Sequence, residues 1–127
     1  MIAPQPKRVM IQMGHGTDAG GDATAAAREA IRNAGQTAVM RMFVSLGLEP
    51  ARAELRVGLG LPLPEAVDTD ALRAELASGP FGSVVITVSQ GGLSIADPEG
   101  GPDHVTAAAA LETFVPDAGG DWRQSND

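Results

Sequence analysis

Two aspartates, a histidine and four glycines crowd one stretch of this sequence, Met13-Gly14-His15-Gly16-Thr17-Asp18-Ala19-Gly20-Gly21-Asp22. Glycine at that density predicts a turn over Gly14–Gly21, with a helix to follow. Free backbone N–H groups and the helix dipole make such a place an anion site. A carboxylate there can accept those N–H bonds, act as a general base or hold a divalent cation. Asp18 and His15 are therefore the candidate catalytic residues, and Gly14, Gly16, Thr17, Gly20, Gly21 and Asp22 the candidate ligand-binding set. The structural alternative stands beside it. Asp22 caps the helix, Asp18 tightens the turn through its own backbone, His15 is idle, and the glycines serve positive φ and close packing between subunits.

Phosphate chemistry fits this turn poorly. Gly14-x-Gly16-x-x-Ala19 matches a relaxed dinucleotide fingerprint, but Asp18 and Asp22 stand where a pyrophosphate needs neutral or positive groups. The acidic residue that would hold the ribose, about 20 positions on, is missing. A triphosphate loop needs a lysine followed by Ser or Thr, and the only lysine is Lys7. Two aspartates and one histidine fall short of a full metal-ligand set, so neither metal nor cofactor is expected.

Composition narrows the partners. The formal charge of -7 opposes binding to nucleic acid or an anionic membrane. Cysteine is absent, which removes disulfides, thiolate metal sites and thiol nucleophiles. No apolar run is long enough to span a bilayer, and Met1–Arg8 lacks the order of a signal peptide, so the expected location is cytoplasmic. The 127 residues suit one domain, whose 43% apolar and 3% aromatic content predicts a core of Ala, Val, Leu, Ile and Met. So small a core gains from burial at a subunit interface, which predicts a homo-oligomer, a trimer among the options. The expected partner is otherwise an unknown small molecule.

The elements that must position the turn follow from periodicity. Alternation predicts strands at Arg8–Met13, Glu54–Leu61 and Ser83–Gln90, with a brief Leu93–Ile95 after Gly91-Gly92. The glycine side of Glu54–Leu61 would be a flat face, open to a second subunit or a ligand. Ala23, Ala26, Ala27, Ala30, Ile31 and Ala34 share one helical face behind Asp22, and Asp70–Ala77 forms a shorter helix capped by Thr69 or Asp68. Thr37–Leu46 stays open between helix and irregular chain. An alanine-rich last helix, His104–Phe114, starts behind Asp103, with His104 as part of the cap. The order β-α-β-α-β-β-α predicts a two-layer α/β sandwich of the α+β type, three to four strands with two main helices on one face. Residues 1–7 form a lead, 8–115 the domain, and 116–127 a polar, frayed tail in which Trp122 alone can dock.

The stretch Met13–Asp22 resembles the signature of a small family of uncharacterised bacterial and plant proteins, the Lin-type conserved hypothetical proteins, whose motif reads Gly-x-Gly-x-Asp-x-His-Gly. Gly14, Gly16, Asp18 and Gly21 match it, while Gly20 stands where the family has histidine. The resemblance extends through Arg56–Leu61, the Gly82–Gln90 strand with Gly91-Gly92-Leu93, and the final alanine-rich helix. It implies a site around Asp18 and no named reaction. A weaker resemblance, to ring-opening amidohydrolases built of three compact α/β units, implies only an architecture of domains around shared clefts. Their Ser–Lys chemistry has no counterpart here, since Lys7 lies in the lead. Three functions follow: an enzyme using Asp18, a non-catalytic oligomeric metabolite-binding protein, or a purely structural turn.

Overall fold

The chain runs β1 (Lys7–Asp18), α1 (Ala23–Ala34), α2 (Gln36–Leu46), β2 (Glu54–Leu61), α3 (Thr69–Ala77), β3 (Ser83–Gln90), β4 (Leu93–Ile95) and β5 (His104–Val115), with single 3-10 turns at Pro50–Arg52 and Pro64–Ala66. This computed structural model describes residues 6–116; the expectations for 117–127, Trp122 included, lie outside them. Alternation organises β2 as the sequence predicts. Leu55, Val57, Leu59 and Leu61 are buried under the helices, and Glu54, Arg56, Gly58 and Gly60 turn the other way. The alanine face of α1 is buried too, and Gly35, left-handed at φ 92°, ends that helix before α2 begins.

The largest departure is β5. The sequence reading makes His104–Phe114 a helix; the chain is instead a twelve-residue strand between β1 and β2, antiparallel to both. Alanine favours helix only locally. Here Ala107, Ala109, Leu111, Thr113 and Val115 alternate inward and lie beneath the helices, and without this strand β1 would lose the strand it pairs with and β2 one of its two. Asp103 consequently caps nothing; it accepts a 3.4 Å hydrogen bond from Ser94 Oγ. His104 pairs with Ile95 at the start of the strand.

The sheet order is β1-β5-β2-β3, with β4 also on β5, so five strands form one open mixed sheet. β3 is parallel to β2, and β1 and β2 are both antiparallel to β5. β1, β2 and β3 thus point the same way and end at the same edge. Leaving β3, the chain crosses the end of β2 to reach β4. That crossing is tight: Gly91 N donates to Leu61 O at 2.9 Å, and a Cβ on Gly60 would lie 3.4 Å from Gly91 Cα. Gly92, at φ 65°, presses on Thr106 O and admits no side chain.

Helices α1 and α3 share one sheet face, joined by Arg28, whose Nε and Nη2 donate to the Glu75 carboxylate at 2.8–3.1 Å. That hydrogen bonding, with the guanidinium charge, holds the Glu75 carboxyl below its usual range. Asp68 caps α3 by accepting from Ala71 N at 3.0 Å. No helix among the described residues is long and apolar enough to cross a membrane.

Candidate functional site

The structure divides the glycine-rich stretch in two. β1 continues through Gly14, His15, Gly16, Thr17 and Asp18, each paired with β5, so only Ala19–Asp22 remains outside regular structure. The expected turn over Gly14–Gly21 is therefore shorter than four glycines in eight residues imply. Gly14 and Gly16 answer to packing. An ideal Cβ on Gly16 would stand 2.5 Å from Ala30 N and 2.6 Å from Ala26 O; one on Gly14 would stand 2.8 Å from Ala30 O and press on Ala34 N. The backbone of α1 rests directly on these two residues, and the alanines on its inner face let it come so close.

β1 alternates, so His15 and Thr17 project from the face opposite Gly16 and Asp18. His15 is exposed, in register with Ala108, and its backbone carbonyl accepts from Asn33 Nδ2 at 2.8 Å. Thr17 and Thr106 share a hydroxyl hydrogen bond of 2.8 Å on the same face. The fold does not bring the candidate catalytic pair, His15 and Asp18, together.

Asp18 and Asp22 build the helix start. Asp18 Oδ2 accepts from Asp22 N at 2.8 Å, and Asp22 Oδ1 accepts from Thr24 N at 3.0 Å and Ala25 N at 3.1 Å. Gly21 closes the turn with its N–H on Asp18 O at 3.3 Å and a φ of 79°. Gly20 lies against the Asp18 carboxylate, where a Cβ would be 3.3 Å from Oδ2. Two of the donors that make a helix N-terminus attractive to anions, Thr24 N and Ala25 N, are thus taken by the chain's own Asp22, and a phosphate would meet two negative charges there. Asp22→Ala leaves Thr24 N and Ala25 N without their acceptor and is expected to cost about 1 kcal/mol of stability, read from urea unfolding. An unchanged midpoint would show that the cap carries no weight.

Beside this turn lies a cleft of about 310 Å³, lined by Gly21, Ala23, Pro62, Leu63, Ala66, Ser94 and Val105. It sits where β1 and β2 end and β5 begins, at the carboxyl ends of strands, the position ligands favour in open α/β sheets. The segment after β2 is held over it by Asp68 N, which donates to Thr24 Oγ1 of α1 at 2.8 Å. The walls are apolar apart from the Ser94 hydroxyl and backbone, and no lining residue is charged. Of the lining, the sequence pattern marks Gly21 alone as a site residue and misses Ala23, Pro62, Leu63, Ala66, Ser94 and Val105. Pro62 reads only as a strand stop, and Val105 reads as part of the last helix. Among the described residues no three of His, Asp and Glu gather as a metal set.

The family model described as "Conserved hypothetical protein (Lin0512_fam)" matches residues 8–113. Among solved structures the chain is similar to the crystal structure of an FtsZ-like protein of unknown function from Nostoc punctiforme PCC 73102. The two are 32% identical, with a TM-score of 0.72, over 90% of this chain and 99% of that one. No curated protein matches.

Proposed function

We propose, for a chain that belongs to the Lin0512 family of conserved hypothetical proteins, that its work is to bind a small molecule in the cleft beside Gly21. The observation that carries this reading is the position of a walled, mostly apolar cleft at the carboxyl ends of β1 and β2, against the start of α1. Its volume is at the small end of ligand sites, which fits a compact molecule.

Charge selects the class. Asp18 and Asp22 flank Gly21 in sequence, and Asp103 reaches Ser94. A field of that sign disfavours an anion and admits a neutral or cationic ligand, its apolar body between Leu63, Ala66 and Val105 and a polar group toward Ser94. Binding is favoured over catalysis because the acid–base partner expected for Asp18 is turned away from it: His15 projects from the other face. The enzyme reading keeps one support, since only Oδ2 of Asp18 is engaged and Oδ1 is left to accept a proton.

The test uses benzylamine, benzyl alcohol and benzoate as probes of one shape and three charges, followed by ligand-observed NMR. The amine and the alcohol are expected to bind and benzoate to be rejected, while Ala66→Trp, which fills the cleft, abolishes binding. Preference for benzoate, or binding undiminished in Ala66→Trp, would overturn the reading.

A further inference from the structure

Among the described residues the helices cover one face of the sheet and leave the other bare. On the bare face the register sets Met13, Ala110, Gly58 and Thr87 in one row, with Ile11, Glu112, Arg56 and Val85 in the row beside it. The floor is almost without side chains. Gly58 and Ala108 are exposed, and a Cβ on Gly58 would meet nothing nearer than Ala110 O at 3.9 Å. Large apolar side chains stand on either side of it, with Met13 74%, Ile11 49% and Val85 44% exposed. The Gly91-Gly92 crossing closes one end of this trough at Gly60, and Arg56, stacked 3.8 Å above the Phe114 ring, closes the other.

The charges on this face say what covers it. Arg8 pairs with Glu112 at 2.9 Å and Arg56 with Glu54, so two arginines and two glutamates sum to zero in a chain of net charge -7. The excess negative charge lies elsewhere. A second copy carries the same charge, and this neutral face is one through which two such chains can approach without repulsion. Size agrees: four strands about 4.8 Å apart, with residues rising about 3.3 Å, give a face that on two copies buries roughly 1,000 Å², where specific association begins.

We propose that the bare face, with Met13 and Val85 as knobs over a floor of Gly58, Ala108 and Ala110, is covered by another copy of this chain. This goes beyond the cleft reading and does not depend on it. Sedimentation equilibrium of the full chain tests it. The expected mass is an integer multiple of 13.0 kDa, falling to 13.0 kDa in Met13→Glu and Ala110→Glu with circular dichroism unchanged. Val44→Glu, at an equally exposed apolar position on α2, is expected to keep the wild-type mass. A wild-type mass of 13.0 kDa, an oligomer that survives both face variants, or dissociation by Val44→Glu would overturn the proposal. Should Ala110→Glu fail to fold, Met13→Glu decides alone, since that side chain is solvent-exposed.

Discussion

Gly16→Ala is expected to lower the stability of the domain by about 3 kcal/mol or more, a fall in Tm on the order of 10–20 °C. The new methyl group meets main chain, not a side chain that can swing aside: Ala30 N at 2.5 Å and Ala26 O at 2.6 Å. To make room, α1 must lift from β1, which opens the contact of Ala26, Ala27 and Ala30 with β1 and β5. Gly58→Ala is the matched control. It sits in the same sheet, where within one chain the added methyl meets only Ala110 O at 3.9 Å; made in the Met13→Glu background, which leaves that face uncovered, it removes glycine's excess chain entropy, and stability should hold or rise by about 0.5 kcal/mol relative to Met13→Glu alone. Thermal unfolding of the two variants separates the cases. Equal losses would show that glycine matters here for backbone freedom rather than for the closeness of α1.

Phe43→Ala is expected to cost about 3–5 kcal/mol and to release α2 first. Among the described side chains of this helix, Phe43 is the buried one: it is 1% exposed and packs edge-on to Phe81 at 6.0 Å between ring centroids. Met40 and Met42 add partial burial, whereas Val44 is 82% exposed. Val44→Ala should therefore change stability by less than about 0.5 kcal/mol. Amide hydrogen exchange would report the difference. In Phe43→Ala the α2 amides should lose protection before those of β2 and β5; uniform loss would mean that α2 unfolds only with the whole domain.

Strands β2 and β3 were legible because alternation survives in them, and α1 and α3 because Asp22 and Asp68 precede regular apolar spacing. The mixed α/β class followed. β5 was not legible: four consecutive alanines speak for helix locally, and only the position between β1 and β2, a long-range fact, makes them strand. Gly14 and Gly16 misled for a related reason. Glycine signals a turn to a local reading, while close approach by a helix from later in the chain leaves no mark of its own. The acidic half of the stretch, Asp18 to Asp22, does form a turn at a helix start as expected, but its geometry separates Asp18 from His15. The cleft was invisible because its walls come from four separate segments with no charged residue among them.

The central claim is that the working site of this chain lies in that cleft. Titrating isotopically labelled protein with benzylamine, while following backbone amide shifts, tests it most directly. The prediction is a cluster of saturable shifts at Gly21, Ala23, Leu63, Ala66, Ser94 and Val105. Saturable shifts confined instead to His15, Ala108 and Ala110 on the bare sheet face, with the cleft amides unmoved, would contradict it.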